Sequence, residues 1–241
     1  MDPGRPVRIL HLDASGRPGL RAMCPHGQHG SYSRRLSRHF VDCWLDVWPE
    51  SEVEYRDLGA APPKQVGPRW IQAVCDGGPL SPAQLDAVAE SDLMVDELFW
   101  ADMVVIGTPL YDLTMPSCLK AWLANVVHQS RTVPDDAENA DPRRAFCERF
   151  FPVVVLSARG GHGMDEGGEF AHLNNLESSL RAALGRIGIT EIHAIAVEHT
   201  AEGGQALLQS LASAISRMES LAAALLERCQ RDQQRKTTVH P

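Results

Sequence analysis

The sequence has 241 residues, 44% hydrophobic and 22% charged, a globular composition that excludes a wholly disordered, fibrous or membrane-spanning chain. Its length suits one full hydrophobic core. With 23 Lys and Arg against 31 Asp and Glu the formal charge is −8, which argues against a field-driven nucleic-acid binder.

Val7 to Leu12 is a short apolar run that predicts a first strand, and the glycine- and proline-rich stretch from Asp13 to Ser31 predicts a long loop. Leu36, Phe40, Val41, Trp44 and Leu45 share one side of a helix predicted over 33–48. A weakly alternating strand follows at Val53 to Leu58. The Pro- and Gly-rich stretch from Gly59 to Pro82 has room for a short helix around Trp70, Ile71 and Val74.

Ser81-Pro82 suits a helix start, with an apolar face from Leu85 to Trp100. Met103 to Ile106 and Val153 to Leu156 lack polar alternation, as strands covered on both faces do, and Ile192 to Val197 adds a fifth strand. Helices are predicted over 116–128, 172–187 and 205–228. Strands separated by helices predict an α/β fold with a doubly wound five-stranded parallel sheet. One domain is expected over 1–229, with a polar, frayed tail over 230–241.

The six cysteines are scattered without a C-x-x-C pair, and no apolar stretch approaches the roughly 18 residues of a spanning helix. A reducing, cytoplasmic setting without membrane insertion is the expectation. Cys24, His26 and His29 have metal-ligand chemistry but no standard spacing, so no metal is expected.

In an open parallel sheet, ligands bind beyond the carboxyl ends of the strands. The residues that follow each buried run are therefore the candidates. After the first strand come Ser15 and, across the loop, Ser31, Tyr32 and Ser33. Hydroxyls and the amides of a helix start are the materials of a phosphate cup, although serines there also serve as ordinary caps. The loop has neither G-x-G-x-x-G nor G-x-x-x-x-G-K-[ST].

After the third strand come Pro109, Leu110, Tyr111, Asp112 and Leu113, where an aromatic can pack on a planar ligand or simply cover the sheet end. After the fourth come Arg159, Gly160, Gly161 and His162, a glycine pair that reads either as close backbone approach or as a turn.

Together these segments resemble the flavodoxin-like FMN-dependent NADH azoreductases and NAD(P)H:quinone oxidoreductases. ADMVVIGTPLYDLTMPSCLKAWLANVV over 101–127 is similar to the family's strand followed by P-M-Y-N-F-x-x-P-x-x-L-K. VVVLSARGG over 153–161 is similar to its strand ending in S-R-G-G, and LGRIGITEIHAIAVE over 184–198 to its G-F-x-G-I run.

The resemblance implies strand order 2-1-3-4-5, non-covalent FMN, and a homodimer with active sites near the subunit interface. It implies two-electron transfer from NADH or NADPH to a small planar conjugated acceptor, a quinone or azo compound. By the same resemblance Ser15, Ser31 and Ser33, with the backbone around Tyr32, hold the flavin phosphate. Pro109, Leu110, Tyr111, Asp112 and Leu113 line the ring, and Arg159, Gly160, Gly161 and His162 meet its pyrimidine edge. Tyr111 and His162 are the residues expected to polarise an acceptor oxygen, His162 having the more useful titration range. Asp112 and Leu113 stand where the family has asparagine and phenylalanine, and Ala158 where it has serine. Electron carriage or ligand binding without catalysis are the alternatives for such a fold.

Overall fold

A computed structural model describes residues 6–18, 30–75, 78–128, 131–133, 146 and 149–239, with side chains described to residue 231. Among them, strands β1 (Arg8–Asp13), β2 (Glu52–Asp57), β3 (Met103–Pro109), β4 (Val153–Ala158) and β5 (Ile192–Val197) form one sheet in the order β2-β1-β3-β4-β5. Every pairing is parallel, with Leu12 of β1 opposite Ile106 of β3 and Ile106 opposite Val155 of β4. β3 is buried throughout, as its unbroken apolar run requires, whereas β2 is an exposed edge and its alternation is correspondingly weak.

The alternate side chains of the strands supply two cores. Leu10, Leu12, Val104, Ile106, Val153 and Val155 meet helices α3 (Pro82–Trp100), α4 (Ser117–Val126) and α5 (Asn175–Gly185) through Leu98, Leu119, Trp122 and Leu180. On the other face Ile9, Val105, Val154 and Leu156 meet α1 (Tyr32–Val47) and α6 (Gly204–Val239) through Phe40, Trp44, Met218 and Leu225. The short α2 (Pro68–Cys75) occupies the excursion after β2.

Two expected helices differ in extent. The one expected over 172–187 is divided into a 3-10 turn (Ala171–Leu173) and α5, because Asn174 caps the latter by accepting from the Glu177 amide at 3.5 Å. The final helix does not end near 228 but runs through the polar tail to Val239. No glycine or proline interrupts the chain between Gln205 and His240, and polar straight-chain residues are good helix formers. Its face closes the molecule's own core: Leu207 and Met218 are buried, Leu211 and Ile215 pack against them, and Leu208 points to solvent.

The bare Gly107 leaves room for polar side chains beneath the site. A Cβ there would lie 2.2 Å from Asp13 Oδ1 and 2.5 Å from Ser37 Oγ.

Candidate active site

The carboxyl ends of β1, β3, β4 and β5 open into one crevice of about 220 Å³, lined by Ser15, Arg17, Gly30, Ser31, Tyr32, Pro109, Leu110, Tyr111, Ala158, Gly160, Thr200 and Ala201. Seven residues expected from the sequence meet there: Ser15, Ser31, Tyr32, Pro109, Leu110, Tyr111 and Gly160. The rule that brought them together also reaches Thr200 and Ala201, just past β5. Arg17 was missed because nothing in the loop's sequence marks which of its cations faces inward.

Ser31 caps α1, its Oγ accepting from the Arg34 amide at 3.3 Å and lying 3.0 Å from Ser33 Oγ. Ser33, fully buried, supports Ser31 from beneath and is not among the lining residues. The first amides of a helix lack intrahelical acceptors and carry the positive end of its dipole, so this corner presents partial positive charge. Ser15 Oγ accepts from the Arg17 amide at 3.2 Å.

Below the cup lies a buried polar layer. Arg34 donates to the Ser15 carbonyl at 2.6 Å and to both Asp57 oxygens at 2.7 and 2.5 Å. Asp13 accepts from Ser37 at 2.7 Å and from the Tyr55 hydroxyl at 3.1 Å. Burial raises the Asp57 pKa, but hydrogen bonds from Arg34 and from backbone amides outweigh it and hold the carboxyl below its ordinary value. Burial, then the Asp13 and Asp57 charges, push the Tyr55 phenol upward, so it stays protonated as a donor.

Tyr111 and Thr114 exchange two backbone hydrogen bonds, of 3.0 and 2.8 Å, around Asp112 and Leu113 at φ +46° and +63°. Two central residues in the left-handed region make a tight reversed turn that non-glycine residues adopt only at a cost. Tyr111 thereby stands between the crevice and a second recess of about 570 Å³, which is also lined by Asp112, Met115 and Lys120. Asp112 faces that recess rather than the crevice, and Leu113 lines neither.

Arg159 departs most from expectation. Its side chain is 1% exposed and donates to Asp165 at 2.8 Å, Glu177 at 2.5 Å and Glu198 at 3.1 Å. Three carboxylates occupy the guanidinium, so it does not offer itself to a ligand edge. Its carbonyl accepts from the Thr200 hydroxyl at 2.9 Å, which ties the Gly160 loop to the chain beyond β5. Gly161 is likewise engaged, its carbonyl accepting from the His199 amide at 3.0 Å. His162 is half-exposed outside the crevice lining, stacked on His199 at 4.6 Å, with Nδ1 3.4 Å from Glu202. The Cys24, His26 and His29 segment lies outside the described residues.

Residues 8–222 match the model of the flavodoxin-like fold family. The chain is 34% identical over 217 residues to a Pseudomonas aeruginosa protein named FMN-dependent NAD(P)H:quinone oxidoreductase 1, covering 89% of this chain and 98% of that one. It is 37% identical over 219 residues to an Opitutus terrae protein named FMN-dependent NADH:quinone oxidoreductase, covering 90% and 97%. A solved azoreductase from Bacillus anthracis superposes with TM-score 0.73 at 20% identity over 90% of this chain and 98% of its own, a likeness of fold.

Proposed function

The chain belongs to the flavodoxin-like fold family, and from that membership we infer an FMN-dependent NAD(P)H oxidoreductase that passes two electrons to a quinone or related conjugated acceptor. The observation that carries the site assignment is the convergence of Ser15, Ser31 and Tyr32 with Leu110, Tyr111 and Gly160 in one crevice.

These residues fit FMN in kind. A capped helix start with Arg17 beside it suits the phosphate, and an apolar and an aromatic residue on the next strand end suit a planar ring. When bound, FMN supplies the chemistry of accepting hydride from NAD(P)H and delivering it to the acceptor.

The chain's own residues hold, orient and shield. Ser31 Oγ and the α1 amides bind the phosphate, with Ser33 fixing Ser31. Leu110 and the half-exposed Tyr111 provide the apolar wall, and the Tyr111 hydroxyl is the group placed to hydrogen-bond an acceptor oxygen. His162 stands beside this site, held by Glu202 and His199, and guards its edge. A homodimer, as the resemblance implies, in the cytoplasmic setting that the scattered cysteines suggest belongs to the same reading, with a sedimentation mass of two chains as the check on the dimer.

Anaerobic addition of NADH or NADPH to the FMN-loaded protein should bleach its visible absorbance, and a quinone should restore it faster than it does for free FMN. Bleaching without recovery by any quinone would overturn the acceptor class. No bleaching of a folded, loaded protein would overturn the reductase itself.

A further inference from the structure

On the sheet face opposite α3, α4 and α5, helices α1 and α6 pack side by side. His39 and Cys43 are four residues apart on α1 and so share one stripe of it. Across the seam, Glu219 of α6 brings a carboxylate oxygen to 3.5 Å from His39 Nε2, and Cys43 Sγ lies 3.7 Å from the same nitrogen. The three donor atoms all lie within 4.8 Å of one another.

As hydrogen bonds these contacts compete. One imidazole nitrogen holds either a proton for Glu219 or a lone pair for the Cys43 thiol. A cation between the three satisfies all of them at once. The distances fit: metal–ligand lengths of about 2.3 Å to sulfur and about 2.0–2.1 Å to nitrogen or oxygen give tetrahedron edges of about 3.5 Å for N···S and about 3.4 Å for N···O. The two separations from His39 Nε2 exceed those edges by only about 0.1–0.2 Å, and the Cys43–Glu219 edge lies within 4.8 Å.

The surroundings also suit a cation. Cys43 is unpaired in any disulfide, and Asp42 and Asp46 lie on the same helix. The His39 and Glu219 side chains are 42% and 54% exposed, which leaves solvent a route to the site and a position for water. The other His-rich group, His162, His199 and Glu202, lacks this geometry, because its imidazoles are stacked within 13° of parallel and their lone pairs do not converge.

We propose that His39, Cys43 and Glu219 form a site for a divalent metal of the zinc class, with a fourth position open to water, clipping α1 to α6. Nitrogen, thiolate sulfur and carboxylate oxygen on two packed helices are a donor set that selects zinc over magnesium or calcium. Its consequence reaches the crevice, since α1 is the helix whose first turn forms the anion corner.

The test is Zn²⁺ titrated into the FMN-loaded full chain after chelator treatment. One equivalent should bind and raise Tm, and the zinc-edge absorption spectrum should contain one sulfur at about 2.3 Å. Cys43→Ser, His39→Ala and Glu219→Gln, checked for folding by circular dichroism, should each weaken Zn²⁺ binding at least about tenfold. A Cys24→Ser/His26→Ala/His29→Ala variant should bind as the parent does. Absence of the sulfur shell, or binding kept by Cys43→Ser and lost by the triple variant, would overturn the proposal.

Discussion

Arg34 Nη2 donates to the Ser15 carbonyl over 2.6 Å, so the first turn of α1 grips the exit of β1 from below. With Asp57 neutralising it, Arg34 acts less as a charge for the ligand than as a clamp that fixes how Ser15 faces the crevice.

Arg34→Lys keeps the charge but not the fork that reaches Asp57 and Ser15 together. It should weaken FMN affinity by roughly 10- to 100-fold, the range of a charged hydrogen bond, while riboflavin affinity changes less. Fluorescence titration with both ligands measures the difference. Equal losses for the two would show that Arg34 does not act through the phosphate end.

Replacing Ser31 and Ser33 together by alanine removes the α1 cap and its support. Thermal stability should fall by about 0.5–2 kcal/mol, as for other lost caps. FMN affinity should drop at least about tenfold, by loss of hydrogen bonds to a charged phosphate. A folded double variant that binds FMN normally would move the phosphate elsewhere.

Arg159→Met leaves Glu177 and Glu198 without a cation and Asp165 with Arg217 alone. The carboxylates left behind are 49%, 22% and 18% exposed, so the loss should stay below the roughly 3–5 kcal/mol of a fully buried pair, and the main effect should be a lower urea midpoint. Glu177→Gln and Glu198→Gln added to this variant should recover part of it. A variant of parental stability with weak FMN binding would instead return Arg159 to the ligand edge.

His128, 3% exposed and packed edge-on against Trp70, has its pKa pushed down by burial and by Arg131, with Asp92 pulling the other way. Below about pH 6.5 the unfolded chain binds this proton and the folded chain does not. Stability therefore falls as the pH drops through the window beneath that value, by at most about 1.4 kcal/mol per pH unit from this group. Urea unfolding at several pH values should show the slope, and His128→Gln should flatten it.

The sheet was legible because the centres of β3 and β4 are unbroken apolar runs and β5 is broken only by His193, and strand ends pointed to the crevice without further information. That Ser15, Ser31 and Tyr111 would share one crevice was legible for the same reason. Arg159 was not: its partners lie 6, 18 and 39 residues away, and nothing local distinguishes a caged guanidinium from a free one. That Asp112 lines the recess beyond Tyr111 was not legible, because the handedness of its turn is a matter of φ and leaves no mark on composition. The His39–Cys43 pair is a four-residue spacing visible in the sequence, but its third member stands on a helix 176 residues on.

The space that Gly107 leaves is filled by Asp13 and Ser37, and this ties the history of the three positions together. A lineage cannot acquire a side chain at 107 while an acid stands at 13 and a hydroxyl at 37. The change must come first at the neighbours, and once 107 then carries a side chain, an acid cannot return to 13 without clashing. Substitutions here are thus open in one order and closed in the other, so the buried layer under the anion corner should drift more slowly than its distance from the chemistry would suggest.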